Sequence, residues 1–398
     1  MAERHITMMG VGGAGCRLAG WLTGRARPGD PLRTVAVDTD TCALAEADVH
    51  ARVQIGEDLT AGFGAGGDEE RGRLAAEADL PRIVAELDGC GILILLTGLG
   101  GGVGSGAAPV VAGAARSAGV MTVAFAVQPF VFEGPQKRAA AQRALAALRE
   151  MCDVVIAVPN DDLFEHVEGT ALPELFDQAD GVLGGGAYAL WQLLARPGYI
   201  RLDPPALSRI AADTDGACAL GYAEASGDDR ARRAARALLE GPMLDKGRLI
   251  EKARLAMVLI VGGPDLRLKE VGEIMDLLTP KVRAECRLVM GTSMDDAWAG
   301  RVTVCVIAGE KRAVAPMPAT EIVGAGTPAE APPAPEDAEA APAAAAPPRR
   351  GHGKDRQSQL PLEQMSGRGR FKDVEPTLQN GTDLDIPTFV RRGIRIEK

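Results

Sequence analysis

The chain has 398 residues, of which 46% are apolar and 25% charged, with a formal net charge of −10. This length accommodates two ordinary domains and an additional segment, and the composition is that of a folded globular chain rather than a fibrous one. The acidic balance argues against nucleic acid as a bulk partner, and no apolar run approaches the roughly 18 residues of a membrane span. The first ten residues, "MAERHITMMG", hold no apolar targeting segment, so the cytoplasm is the expected compartment.

In chain order, four apolar runs read as buried strands: "RTVAV" (33–37), "GILILL" (91–96), "VMTVAFAV" (120–127) and "VVIAV" (154–158). They are continuous rather than alternating, as in a parallel sheet covered on both faces. Helix-like stretches lie between them, among them 109–119 and 138–151, and the alternation predicts a doubly wound α/β domain over residues 1–180. "GGAYALWQLLAR" (185–196) is long and apolar enough for a central helix, which with the loop after it occupies 181–204. Residues 205–312 read as a second, mixed α/β domain, with strands in "ACALGYAEA", "LAMVLIVGG" and "VTVCVIAG" and a helix striped by Val271, Ile274, Met275 and Leu278.

From 313 the text turns to alanine, proline and acidic residues without period, which predicts a disordered linker over 313–370. As a flexible coil its 58 residues span about 40 Å root-mean-square. Apolar residues return in 371–398, the pattern of a C-terminal partner-binding peptide. The seven cysteines are scattered, without a CxxC pair or a histidine at ligand spacing, and read as buried reduced thiols.

Two glycine-rich turns carry the chemistry. "MGVGGAGCR" (9–17) and "LTGLGGGVGSGAAP" (96–109) each follow an apolar strand and precede a helix-like segment. Glycine there lets main chain approach a phosphate closely, and the N–H groups of the following helix then face the anion. The spacing Gly10, Gly12, Gly15 alone also fits a dinucleotide site, with Asp38 or Asp40 on the ribose. That oxidoreductase reading leaves the second turn unexplained. The GxxxxGK[ST] pattern occurs nowhere, so the chain is not a P-loop NTPase.

"GGGVGSG" (100–106) resembles the signature loop of the tubulin/FtsZ family, usually GGGTG[ST]G. The other landmarks resemble the bacterial cell-division branch of that family: "GVGGAG" (10–15), "VDTD" (37–40), "GFGAGGDEERGR" (62–73), "QPFVFEG" (128–134), "VPNDD" (158–162), "LFDQAD" (175–180), "GYAEASGDDRA" (221–231) and "DLDIPTFVRR" (383–392). The resemblance implies a GTPase-type domain, GTP or GDP with Mg2+, and head-to-tail self-association into filaments at the division site. It also implies a membrane tether protein on residues 383–392, so that the membrane is reached only indirectly. In that peptide Ile386, Phe389 and Val390 are the apolar anchors.

Carried over residue by residue, the resemblance places Gly12, Gly13, Ala14, Gly15, Cys16 and Arg17 at the nucleotide. Gly101, Gly102, Val103, Gly104, Ser105 and Gly106 then cradle the phosphates through main-chain N–H groups, with side chains absent so that the backbone is not held off. Ser105 adds a hydroxyl donor, which Val103, standing where the family usually has threonine, lacks. Ala65, Gly66 and Gly67 match a γ-phosphate-sensing loop, and Glu133 and Arg138 match ribose and phosphate contacts, with Lys137 an alternative to the arginine. Asn160 matches a nucleotide-contacting asparagine. Phe176 stacks on the base, and Asp180 accepts from guanine N1–H and its exocyclic amine, a donor pair that adenine lacks.

Two departures stand out. The family's catalytic loop, usually NxDxxD, corresponds to "GYIRLDPPALSR" (198–209): Asp203 keeps the first acid as the catalytic candidate, but Arg201 replaces the asparagine and Ala206 the second acid. Losing a carboxylate weakens activation of the attacking water, so slow turnover is expected, or a non-hydrolysing relative that co-assembles with a division filament. Arg17 stands where the family has an asparagine near the nucleotide.

Overall fold

The structure is a computed structural model, and it describes residues 5–27, 29–163, 172–196, 198–201 and 217–309, with 378–379 and 382–383. Strand β1 (His5–Val11) shows why the apolar runs do not alternate. Met8 points into one hydrophobic cluster and Met9 and Val11 into another on the opposite face. Side chains on a strand alternate sides, so a strand that is apolar at every position must be covered twice.

The first half places β1, α1 (Gly12–Arg25), β2 (Arg33–Asp38), α2 (Thr41–Glu46) and β3 (Ala51–Gln54) in succession. Three short helices follow, α3 (Glu57–Thr60), α4 (Glu69–Ala78) and α5 (Leu80–Ala85). The run continues with β4 (Cys90–Gly98), α6 (Gly102–Ser117), β5 (Met121–Gln128), α7 (Pro135–Met151), β6 (Val154–Pro159) and α8 (Asn160–Leu163). The strands lie in the order β3-β2-β1-β4-β5-β6, all parallel. That is the doubly wound order, which reverses direction between β1 and β4. Helices α4, α6 and α7 cover one face. On the other face lie α1 and the long helix α9 (Leu172–Ala195).

Helix α9 begins well before residue 185. Its triple glycine explains its path: a Cβ on Gly184 would lie 2.5 Å from the Trp21 ring, and one on Gly185 would lie 2.5 Å from the Tyr222 ring. The helix therefore touches both halves of the molecule at side-chain-free points, with Leu183, Leu190 and Trp191 filling the space between.

The second half contains β7 (Ala217–Ser226), α10 (Arg230–Glu240), α11 (Arg248–Lys252), β8 (Leu255–Gly262), α12 (Leu268–Leu278), β9 (Arg287–Met294) and β10 (Arg301–Gly309). Strand β10 is antiparallel to both β7 and β8, while β9 is parallel to β8. Strand β9 has no counterpart in the sequence reading, because its first half is only partly buried and its apolar signal is weak. The predicted stripe on α12 is present, with Val271, Ile274 and Leu278 buried. Both halves share one ten-stranded sheet through a narrow join, Val155↔Ala217 and Ile156↔Cys218.

A charge network also ties them together. Asp295, whose side chain is fully buried, pairs with Arg27 from the loop after α1 and with Arg196 just beyond α9, and it accepts from Gln192 at 2.7 Å. Among the described residues the cysteines form no disulfide and are mostly buried, and burial pushes the thiols of Cys16, Cys152 and Cys305 upward. Cys42 departs from the expectation: it is exposed on the first turn of α2.

The chain divides into two units, Met1–Thr320 and Glu321–Lys398. In the second, Leu378–Gln379 and Thr382–Asp383 pair as a two-residue antiparallel ladder. The Asn-Gly dipeptide between them is a strong hairpin signal that the sequence reading passed over. The predicted linker lies outside the described residues, as does the peptide 383–392 apart from Asp383.

Candidate functional site

A cavity of about 730 Å³ opens at the carboxyl ends of the parallel strands, where the chain leaves the neighbouring strands β1 and β4 for opposite faces of the sheet. In a doubly wound sheet this crevice is where ligands bind. One wall is main chain. Gly12, Gly13 and Ala14 open α1, and Gly101 to Gly104 lead into α6; all of them line the cavity. Neither helix has a side-chain cap at its N-terminus or an acid in its first turn. The two neighbouring helices are capped in the ordinary way. Asp40 accepts from Cys42 and Ala43 at the start of α2, and Asp68 accepts from Glu70 and Arg71 at the start of α4. Helices of 14 and 16 residues with free first-turn N–H groups present partial positive charge to the same space. An anion fits there.

The glycines divide into two kinds. A Cβ on Gly13, Gly66, Gly67 or Gly101 would meet nothing within 4 Å, so these positions are open. Elsewhere the backbone touches backbone. A Cβ on Gly104 would lie 2.0 Å from the Gly98 carbonyl oxygen, one on Gly106 would lie 2.0 Å from that of Glu69, and one on Gly15 would lie 2.3 Å from that of Leu96. Gly12, at φ +77°, would press 2.8 Å from Gly104 N, so the two helix starts fit together only without side chains. At half of these positions glycine therefore also serves helix-to-strand and helix-to-helix packing.

Several site candidates do not line the cavity. Gly15 and Gly106 face packed backbone. Cys16 is on the buried face of α1, with its thiol toward the carbonyl oxygens of Gly10 and Val37. The Ser105 hydroxyl is buried and accepts the Gly100 N–H at 2.8 Å, so it holds the signature turn in shape. Gly66 stands beside the lining residues Ala65 and Gly67, and Arg138 is exposed on the first turn of α7 without lining the cavity. Asp203 and Ala206 lie outside the described residues.

The opposite wall is made of side chains. Asn160, Phe176 and Asp180 line it, the last two one turn apart on α9. Glu133 lines the cavity too, but both of its carboxylate oxygens are occupied: one accepts the Phe130 N–H at 2.9 Å and the other pairs with Lys137 at 2.8 Å. Lys137 is thereby tied to Glu133. Asp38, at the end of β2, is buried and accepts the N–H groups of Thr39 and Asp40; burial raises its carboxyl above the usual range. The sequence weighed Asp38 only for a dinucleotide. The aromatic rim formed by Phe130 and Phe132, stacked at 4.7 Å, was not anticipated; its signal was the "PFVF" run.

The main finding at this wall is that Asp180 already has a partner. Arg17 donates to it from Nε at 2.6 Å and from Nη2 at 3.0 Å, a two-pronged contact. The same guanidinium lies 5.4 Å from the centroid of the Phe176 ring.

Topology and cavity together define a class: a doubly wound α/β protein with an anion-accepting crevice at its switch point, extended by a second α/β half on the same sheet. Comparison with known proteins narrows this. Residues 5–168 match the model of the tubulin/FtsZ family GTPase domain, and 216–311 match that of the FtsZ family C-terminal domain. The cell division protein FtsZ of Magnetospirillum gryphiswaldense is 34% identical over 325 residues, which cover 81% of this chain and 57% of that protein. The FtsZ of Caulobacter vibrioides is 34% identical over 305 residues, covering 76% and 59%. The chain thus spans less than two thirds of the length of these relatives.

Among solved structures, an FtsZ dimer of M. jannaschii superposes with a TM-score of 0.71 at 30% identity, over 77% of this chain and 88% of that one. CetZ2 of Haloferax volcanii, described as a GTPγS-bound protofilament, gives 0.63 at 28% identity, over 78% and 94%. The chain belongs to the tubulin/FtsZ family.

Proposed function

We propose that this chain binds a guanosine tri- or diphosphate in the switch-point cavity and assembles head-to-tail into a cytoskeletal filament of bacterial cell division. The observation that carries the reading is the convergence of two uncapped helix N-termini on a cavity whose far wall holds an aromatic ring and a buried carboxylate. The phosphates lie against the main chain of Gly12–Ala14 and Gly101–Gly104, and the base lies toward Phe176 and Asp180. A carboxylate there can accept two adjacent donors, which guanine presents and adenine does not.

Magnesium would arrive with the triphosphate. Among the described residues no cluster of three metal-ligating side chains exists, so phosphate oxygens and water would supply most of its ligands. Bound, it neutralises developing phosphate charge; the chain's own part is to hold the phosphates on N–H groups and to seal them from water.

Self-association is favoured by the rim. Phe132 is 78% exposed, and Phe63, next to the lining residue Gly64, is 88% exposed; large exposed aromatics are characteristic of surfaces that become buried. A next subunit seated there brings its own loop to the γ-phosphate, a heterologous contact that propagates into an open filament. In that loop Asp203 is the carboxylate available to orient water, with Ala206 where a second acid is usual, so we infer slow hydrolysis. A relative that co-assembles without hydrolysing is the second reading, favoured by the same replacement.

The test measures bound nucleotide, GTP-dependent pelleting and phosphate release on one sample. Guanine nucleotide and GTP-dependent sedimentation are expected, with slow phosphate release that Ala206→Asp accelerates tenfold or more. Extraction of a nicotinamide cofactor, or no nucleotide dependence of sedimentation, overturns the reading.

A further inference from the structure

We infer that Arg17 is a specificity-determining gate at the base end of the cavity: it occupies both contacts that a guanine would make, so guanine enters only by displacing it. The inference rests on the nucleotide reading above and deepens it.

Guanine recognition by a carboxylate needs both oxygens in one plane, one for N1–H and one for the exocyclic amine. In this chain both oxygens of Asp180 already receive a planar donor pair, Nε to Oδ2 at 2.6 Å and Nη2 to Oδ1 at 3.0 Å. A guanidinium and a guanine edge are alike in this respect, since each presents two near-parallel N–H groups to a carboxylate. They compete for one acceptor. The base also needs an aromatic face, and the Arg17 guanidinium already lies over the Phe176 ring, 5.4 Å from its centroid. A single side chain therefore satisfies the edge and the face together.

Burial indicates which partner moves. The Asp180 side chain is 6% exposed and fixed on α9, whereas that of Arg17 is 49% exposed on α1. The carboxylate stays and the arginine swings out. Displacement exchanges one charge-assisted fork for another, so the net gain from recognising guanine is small. A base without the donor pair does not displace Arg17 and binds on its phosphates alone. This chain consequently discriminates weakly between guanine and adenine nucleotides, although its carboxylate is in place.

The test is equilibrium titration of the purified full-length chain with GDP, IDP and ADP, each with Mg2+, for the unaltered protein, Arg17→Asn and Arg17→Lys. IDP lacks only the exocyclic amine. Asparagine cannot form the fork; lysine keeps the charge and stem without it and serves if the first variant folds poorly. In the unaltered protein GDP is expected to bind within about tenfold of ADP. Either substitution should tighten GDP tenfold or more, because guanine then gains its hydrogen bonds to a charged acceptor without displacing a fork. IDP should tighten less, and ADP, which gains only the freed Phe176 face, least of the three.

A structural role alone would move all three nucleotides together. Equal shifts for GDP and ADP, or weaker GDP binding in both variants, overturn the gate while leaving the nucleotide reading intact. Strong preference for GDP in the unaltered protein, a hundredfold or more over ADP, overturns it as well. If none of the three nucleotides binds any of the proteins, the nucleotide reading falls, and the gate with it.

Discussion

The two ends of the cavity are built on opposite principles. The end formed by α1 and α6 is main chain: uncapped N–H groups and positions with no side chain to displace. The end formed by α9 is side chain: a ring, a buried carboxylate and an arginine paired to it. Main chain cannot be exchanged by point mutation, so the first end tolerates little drift except through its glycines. The second end can be retuned by one residue, and Arg17 is such a change. On the function proposed above, what holds any nucleotide is fixed by backbone, and what chooses among nucleotides is left to side chains.

The largest effect is expected where the main-chain end meets the core. Gly104→Ala places a Cβ 2.0 Å from the Gly98 carbonyl oxygen. Alanine in a helix gains about 1 kcal/mol over glycine, but forcing packed backbone apart costs about 3 kcal/mol, so the clash wins. Urea denaturation should show a markedly lower midpoint, and an unchanged midpoint would mean that the start of α6 does not press on the end of β4.

Gly101→Val sharpens the contrast. Its Cβ meets nothing within 4 Å, and the backbone is already extended at φ −90° and ψ 165°. Stability should stay within about 0.5 kcal/mol, as for substitutions that touch no packed feature, while nucleotide affinity falls tenfold or more. If affinity is kept, phosphate does not rest on that turn. At the other end, Asp180→Asn removes one acceptor and the charge. Its expected signature in the same titrations is a loss of any preference for GDP over ADP, with ADP affinity unchanged.

The smallest effect concerns the side wall. Burial raises the carboxyl of Asp38, so its protonated form suits the fold better than its ionised form. Its contribution is favourable below the ordinary aspartate range and is lost as pH rises through the raised value. Asp38→Asn, which keeps an acceptor for the N–H groups of Thr39 and Asp40, should slightly raise the thermal midpoint at pH 7. The gain should vanish near pH 4; a gain that grows on acidification contradicts the assignment.

Much of this was legible in the sequence. Runs such as "GILILL" signalled strands covered twice, because a sheet face without polar residues has to be packed. The two glycine turns announced the cavity, since few other features need so many bare positions after a strand. The division of labour among those glycines was hidden: Gly13 and Gly104 look alike in sequence, yet one faces open space and the other a carbonyl. Strand β9 escaped because its first half is only partly buried, and the "GGG" of α9 did not reveal that Trp21 and Tyr222 press against it.

What the sequence settled unaided is therefore local and periodic: strands, helices, the turns between them, and the family they spell. Hydrophobic period and backbone freedom act between near neighbours, so they can be read along the chain. The tertiary structure alone decided the pairings: Asp295 with Arg27 and Arg196, and above all Arg17 with Asp180, 163 positions apart. A charge finds its partner through space, and only the packing of α1 beside α9 says which two of the chain's many charges meet.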